Sequence, residues 1–82
     1  MQQKILKIRD SYITLGQLLK LESYIPSGGM AKWYLSEFEV YLNDELEQRR
    51  GKKLYSGDKI FLPNENMTIT IQQISPAKPN ET

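Results

Sequence analysis

Two short stretches of this chain contain residues that could bind an anion. The first spans residues 27–32, where a serine and two glycines precede a predicted helix. Serine is a common helix N-cap, glycine lets a bulky group approach the backbone, and the amides at a helix start attract phosphate. The stretch also suits an ordinary connection between two helices. The residues expected to hold a phosphate are Ser27, Gly28, Gly29 and Lys32.

The second stretch is a cluster of four cations within five consecutive positions, Arg49, Arg50, Lys52 and Lys53. Four positive charges cannot be buried without partners, so we expect these side chains to be exposed. They could contact neighbouring phosphates of a polyanion, or they could form a solvated loop whose charges pair with the acids before them. Lys20 would flank the site if the first helix lies alongside it.

The composition argues against catalysis. The chain has no cysteine and no histidine, which removes the thiolate nucleophile, the commonest metal ligand and the usual general base. Carboxylates are present at Asp44, Glu45, Glu47 and Asp58, but no convergent partner is visible for any of them. We therefore expect no enzyme activity, no metal, no cofactor and no small-molecule substrate.

The 82 residues are enough for a single domain, and the net charge is only +1. A polyanion would therefore have to bind to one face of the protein. No apolar run is long enough to cross a bilayer, and the N-terminus lacks a signal-peptide hydrophobic region. We expect a soluble cytoplasmic protein that does not bind membranes. Residues 75–82, which are rich in proline and polar residues, are predicted to be a disordered tail.

Two helices are predicted in the first half of the chain. Thr14 and Gln17 have the spacing of a capping box, so the first helix should begin after Thr14. It should end near Tyr24, because Pro26 disfavours helical geometry in the residue before it. The second helix should run from Ser27 to about Glu37. Its inner face is predicted to contain Ala31, Tyr34, Leu35 and Phe38.

The second half of the chain is predicted to form strands. Residues 39–43 and 59–62 have strand-like apolar patterns, Leu46 continues a pairing strand, and Asn43-Asp44 suits a tight turn. Residues 67–71 alternate cleanly between apolar and polar. The N-terminal residues 4–9 alternate as well, so they could form a strand that pairs with residues 67–71, or they could be a frayed N-terminal arm.

These elements and motifs together resemble the RNA-binding domain of ribosomal protein S-four, which is also called the alpha-L RNA-binding motif. The matching positions lie between residues 14 and 62. They include Leu15, Leu19, Ser27, Ala31, Leu35, residues 40–43 and residues 57–60. The segments 13–20, 27–32 and 43–54 are similar to a stand-alone bacterial group of this family, the YaaA-like proteins.

The resemblance implies an α+β fold in which two packed N-terminal helices precede a small, mostly antiparallel sheet of three to five strands. It implies an RNA-binding core at residues 13–62 within a single domain of residues 1–82. It also implies binding to structured ribosomal RNA, through phosphate and shape recognition, in ribosome assembly or association with a ribosomal subunit. The expected RNA-binding residues are Lys20, Ser27, Gly28, Gly29, Lys32, Arg49, Arg50, Lys52 and Lys53.

An alternative prediction is a protein-interaction adaptor without a nucleic-acid ligand. Trp33 is the only tryptophan, and the helical register places it at the edge of the apolar stripe. It could be a partly buried core residue, a platform for a base, or, together with Tyr41, an anchor for a partner protein. Reversing the charges of the four clustered cations would separate the RNA-binding and adaptor hypotheses.

Overall fold

The computed structural model describes residues 2–74, which form an α+β fold with two α-helices and two sheets. The helices are α1, Leu15–Leu21, and α2, Ala31–Glu37. Short 3-10 turns cover Gly28–Met30 and Pro63–Glu65. The strands in this part of the chain are β1 Gln2–Ile8, β2 Tyr12–Thr14, β3 Tyr41–Leu42, β4 Glu45–Leu46, β5 Lys53–Tyr55, β6 Lys59–Leu62 and β7 Met67–Gln73.

Five strands form a mixed sheet in the order β1-β7-β6-β3-β4. β1 and β7 run parallel, and the other three neighbouring pairs are antiparallel. The N-terminal strand thus pairs with the strand at residues 67–71, a question that the sequence left open. β1 is also tied to the end of α1, because Lys4 Nζ lies 2.7 Å from a carboxylate oxygen of Glu22. The hydrogen bond from this ammonium to Glu22 raises the pKa of Lys4.

A second sheet of two strands, β2 and β5, was not predicted from the sequence. The two strands are antiparallel, and Ile13 is paired with Leu54. Both of these side chains are buried, whereas their strand neighbours Tyr12 and Tyr55 are exposed. Three-residue strands with one buried residue each are too short to show an apolar period in the sequence.

The helices and both sheets share one hydrophobic core among the described residues. α2 is fastened to the Pro63–Glu65 turn by a hydrogen bond of 2.8 Å, which the Tyr34 hydroxyl donates to Glu65. Burial and this carboxylate together raise the pKa of Tyr34. The buried core residues are Ile8, Ile13, Leu15, Leu18, Leu19, Ile25, Ala31, Tyr34, Leu35, Val40, Leu54, Ile60, Leu62, Ile69 and Ile71.

The start of α1 agrees with the prediction, and its end does not. The backbone N–H of Gln17 donates to the Thr14 hydroxyl at 3.2 Å, and the Gln17 side chain accepts from the Thr14 N–H at 2.8 Å. Both bonds of the capping box are therefore present. The helix ends at Leu21, earlier than the expected Tyr24, because Ser23 adopts a left-handed φ of 64°.

The second helix begins later than predicted. Ser27 precedes a 3-10 turn, its hydroxyl forms no capping bond, and α2 itself begins at Ala31. The N–H of Met30 donates to Ser27 O at 3.0 Å, and the N–H of Ala31 donates to Gly28 O. The tight turn thus uses the Met30 amide, which an α-helix capped at Ser27 would have left open to an anion. The predicted end at Glu37 is correct.

The predicted turn at Asn43 and Asp44 is confirmed, since both residues have positive φ, 50° and 72°. The predicted strands around Tyr41, Leu46, residues 59–62 and residues 67–71 are also present. No helix within residues 2–74 is both long and apolar enough to cross a membrane. The predicted tail, residues 75–82, lies outside the described residues.

Trp33 lies at the edge of the core, as the helical register predicted. Its side chain is 48% exposed, and its ring makes edge contacts with Tyr34 and Phe38. Tyr41, the other proposed anchor, stacks on Phe61, and its hydroxyl donates to Glu39 at 2.8 Å. The adaptor hypothesis therefore depends more on Trp33 than on Tyr41.

Candidate functional site

The cationic segment, residues 49–53, is fixed to the start of α1 by its backbone. The N–H of Leu15 donates to Lys52 O at 2.9 Å, and the N–H of Gly16 donates to Arg50 O at 2.8 Å. These carbonyls accept hydrogen bonds that the first turn of α1 cannot form within the helix. Segment 49–53 is therefore not a free loop, and its side chains project from a defined backbone.

Gly16 allows this close contact. A Cβ atom on Gly16 would lie 3.3 Å from Ala31 Cβ and 3.3 Å from Arg50 O. Both distances are shorter than ordinary van der Waals contacts, so a side chain here would push on α2 and on the cationic segment. The absence of a side chain at Gly16 thus brings α1, α2 and residues 49–53 together.

A depression opens where these three parts meet, and we call it the helix-side depression. It contains two cations, Lys20 and Arg50, and no carboxylate among the described residues. Lys20 comes from the last turn of α1, and Arg50 comes from the cationic segment. The described residues that line the depression are Thr14, Gly16, Gln17, Lys20, Gly28, Ala31, Arg50 and Gly51.

Two of the lining glycines have no packing reason to lack a side chain. A Cβ atom on Gly28 or Gly51 would meet nothing within 4 Å. Neither residue has a positive φ, so the backbone does not require glycine. Their effect is to leave the walls of the helix-side depression open, where a ligand could approach the backbone closely.

The two cations of the helix-side depression are free to bind a ligand. Neither Lys20 nor Arg50 forms a side-chain hydrogen bond or ion pair with any residue in the range 2–74. Both side chains are exposed. An unpaired guanidinium can donate two parallel hydrogen bonds to a phosphate, and an ammonium adds a compact positive charge.

Arg49 lies in a different environment from its neighbour Arg50. Its Nε donates to Glu47 Oε2 at 2.9 Å, its Nη2 donates to Oε1 at 3.2 Å, and its backbone N–H donates to Oε2 at 3.0 Å. Glu47 is only 8% exposed. The hydrogen bonds from Arg49 lower the pKa of Glu47 even though burial opposes this shift, and Glu47 in turn raises the pKa of Arg49.

Arg49, Lys52 and Lys53 line a second depression, which we call the strand-side depression. Three carboxylates line it as well, so the formal charges of its three cations and three acids balance. Lys52 also favours the ionised form of Glu47. The described residues around it are Leu42, Asn43, Glu45, Glu47, Arg49, Lys52, Lys53, Tyr55 and Asp58. The hypothesis that the cluster is paired with preceding acids is thus correct for Arg49.

Of the nine predicted site residues, the structure brings Lys20, Gly28 and Arg50 to the helix-side depression. Ser27, Gly29 and Lys32 adjoin it in the chain but are not among its lining residues. Gly16, Gln17 and Gly51 also line the depression, and they were not predicted as parts of the site. A glycine at the second position of a helix, where glycine is costly, was the signal available for Gly16.

The described residues offer no metal site, since no suitable group of three or more acidic side chains occurs among residues 2–74. Three of the four carboxylates considered in the sequence analysis, Glu45, Glu47 and Asp58, line the strand-side depression. Asp58 accepts hydrogen bonds from the Tyr55 N–H at 2.8 Å and from the Asn43 amide at 3.1 Å. These bonds connect the turn after β5 to the β3–β4 turn, which is a structural role.

Comparison with known proteins identifies the family. A family model described as the S4 domain matches residues 6–70. The chain is also 60% identical over 55 residues to the "Probable ribosome maturation protein RlbA" of Bacillus subtilis (strain 168), an alignment that covers 67% of this chain and 78% of that protein. No solved structure shows a significant match. The chain therefore belongs to the S4 domain family.

Proposed function

We propose that this chain binds RNA and acts in ribosome maturation. The observation that carries the proposal is the helix-side depression, in which Lys20 and Arg50 have no acidic partner within residues 2–74 and two glycines keep the walls open. The S4 domain match and the name of the Bacillus subtilis relative support the same conclusion.

Phosphate is the group that this depression suits best. It offers a guanidinium and an ammonium at positions fixed by α1 and by the hydrogen bonds of segment 49–53. Contacts of this kind position a protein on a nucleic-acid backbone and carry little sequence information. Structured RNA is recognised mainly by shape and by its phosphates and 2′-hydroxyls, so we propose structured ribosomal RNA as the ligand.

The remaining predicted residues do not line the helix-side depression. Ser27, Gly29 and Lys32 adjoin its lining residues in the chain, whereas Lys52 and Lys53 line the strand-side depression. Arg49 would contribute only after exchanging Glu47 for a phosphate, because its guanidinium is already hydrogen bonded. We therefore assign the first contacts to Lys20, Gly28 and Arg50, and weaker contacts to the others.

We also propose the domain organisation that the sequence predicts. Residues 13–62 would be the RNA-binding core, with the alpha-L arrangement of two packed helices, in a single domain of residues 1–82. The protein would work in the cytoplasm, where ribosomes mature, without catalysing a reaction. Its partners would be ribosomal RNA and a ribosomal subunit.

Charge reversal tests the proposal. The variant Lys20→Glu/Arg50→Glu should bind purified ribosomal RNA about tenfold more weakly or worse, because two phosphate contacts become repulsive. A matched control is Lys7→Glu/Lys59→Glu, which changes the net charge equally at two exposed lysines outside the helix-side depression. Binding would be measured by filter retention, and folding by circular dichroism.

The proposal fails if the unmodified protein does not bind ribosomal RNA, or if both double variants weaken binding equally. The half-exposed Trp33 favours a second candidate, a protein-interaction adaptor. That hypothesis predicts that Trp33→Ala abolishes co-sedimentation with ribosomal subunits, while the reversal of Lys20 and Arg50 leaves it unchanged.

A further inference from the structure

Two exposed tyrosines lie side by side on the outer face of the β2–β5 sheet. Tyr12 is paired directly with Tyr55, and their ring centroids are 5.8 Å apart with an angle of 52° between the rings. The side chains are 37% and 49% exposed, respectively. The opposite face of the same strands carries Ile13 and Leu54, which are buried in the core, so the tyrosines are not needed to fill it.

The ammonium group of Lys53 lies close to the tyrosine pair. Lys53 Nζ lies 4.8 Å from the centroid of the Tyr12 ring, and Lys53 precedes Tyr55 on β5 by two positions. Residues two apart on a strand share a face, so Lys53 and Tyr55 project to the same side. A ring with a cation beside it matches the two parts of a nucleotide, a flat base and a charged phosphate.

This surface is continuous with the helix-side depression. Gln17 lines that depression and also lines the recess that contains Tyr12. In addition, Thr14 lines the depression and is paired with Lys53 across the β2–β5 sheet. A strand that passed over Arg50 could therefore reach the tyrosines without leaving the surface of the protein.

Lys53 and Tyr55 also line the strand-side depression, together with Glu45, Glu47 and Asp58, and two of these carboxylates are already hydrogen bonded. Asp58 accepts hydrogen bonds from the Tyr55 N–H and from Asn43. Asp10 lines the recess on the Tyr12 side. We therefore expect a base to contact Tyr55, the more exposed ring, while its phosphate contacts Lys53.

We propose that Tyr12, Lys53 and Tyr55 form a stacking surface for an unpaired nucleotide of the RNA that the helix-side depression binds. The proposal rests on the proposed function and makes it more specific. The ligand would be structured RNA with a single-stranded segment next to a helix, because a fully paired duplex offers no free base to stack. Aromatic stacking would add affinity with little preference among bases.

The test compares two synthetic RNAs, a blunt-ended hairpin and the same hairpin with a short unpaired extension. The unmodified protein should bind the extended RNA at least about fivefold more tightly. The variant Tyr12→Leu/Tyr55→Leu keeps apolar side chains on the sheet but has no rings, so it should bind both RNAs equally. The variant Tyr12→Phe/Tyr55→Phe should keep the preference, as should Tyr41→Leu, a matched loss of a tyrosine on the other sheet.

The outcomes separate this inference from the proposed function. If the hairpin binds and Arg50→Glu weakens binding, but the leucine variant keeps the full preference for the extension, the stacking surface is wrong and the proposed function stands. A different result would also show that the inference is wrong. If the leucine variant binds both RNAs as the unmodified protein does, but no longer co-sediments with ribosomal subunits, the tyrosines contact a protein. If the unmodified protein binds neither RNA, both proposals fail.

Discussion

The helix-side and strand-side depressions take their cations from the same five-residue segment, but their charges differ. Arg50 lies in a depression where none of the described lining residues is a carboxylate, whereas Arg49 is hydrogen bonded to Glu47 in a depression lined by three carboxylates. The two arginines are adjacent in the sequence. The comparison shows that the available positive charge depends on which side of the backbone each residue faces, and a count of cations does not reveal it.

The largest expected effect concerns the close contact of Gly16 with Ala31 and Arg50. Gly16→Val should lower the free energy of unfolding by about 1–3 kcal/mol, because its side chain would overpack against Ala31 and the Arg50 carbonyl. Urea denaturation followed by circular dichroism would measure the loss. Lys32→Val, at an exposed position of α2, should change stability by less than about 0.5 kcal/mol. Equal losses in both variants would contradict the assigned role of Gly16.

Substitution of the two glycines in the walls of the helix-side depression should not destabilise the fold, in contrast to Gly16→Val. Gly28→Ala and Gly51→Ala should leave stability unchanged or raise it by about 0.4–1 kcal/mol, since neither Cβ meets another atom and alanine restricts the unfolded chain. Binding to ribosomal RNA should nevertheless weaken in both variants, because the added methyl groups narrow the approach to the backbone. Unchanged RNA affinity would show that a ligand does not use the open walls.

The smallest expected effect is on the stability that Glu47 contributes in the strand-side depression, and this effect depends on pH. Hydrogen bonds from Arg49 hold the pKa of Glu47 below its usual value of 4.5, so ionised Glu47 stabilises the fold above that pH. The contribution should be lost as the pH falls from 4.5 through the lower pKa of the folded state. Glu47→Gln should therefore melt slightly below the unmodified protein at pH 7, and the difference should shrink in acid. A difference that persists below the folded-state pKa would contradict this account.

The sequence predicted the local features that depend on a few neighbouring residues. The capping box at Thr14, the left-handed turn at Asn43 and Asp44, and the alternating strand β7 follow from side-chain chemistry within a few positions. The end of α1 at Leu21 could not be predicted, because it depends on the positive φ of Ser23. Likewise, the 3-10 turn before α2 left Ser27 without a capping bond.

The candidate site was only partly predictable because it depends on contacts between distant residues. The sequence showed the four clustered cations and the two adjacent glycines. It could not show that Glu47 is buried beside Arg49, or that the carbonyls of Arg50 and Lys52 accept hydrogen bonds from α1. Those contacts divide the cationic cluster between two depressions, and they place Gly51 in the same depression as Gly28.

The most direct test is the salt dependence of ribosomal RNA binding by Arg50→Gln and Arg49→Gln, each compared with the unmodified protein. If Arg50 contacts a phosphate and Arg49 remains with Glu47, Arg50→Gln should reduce the slope of log affinity against log salt by about 0.7–0.9, and Arg49→Gln should leave it unchanged. Equal changes in the two slopes, or a change for Arg49 alone, would contradict the assignment of RNA binding to the helix-side depression.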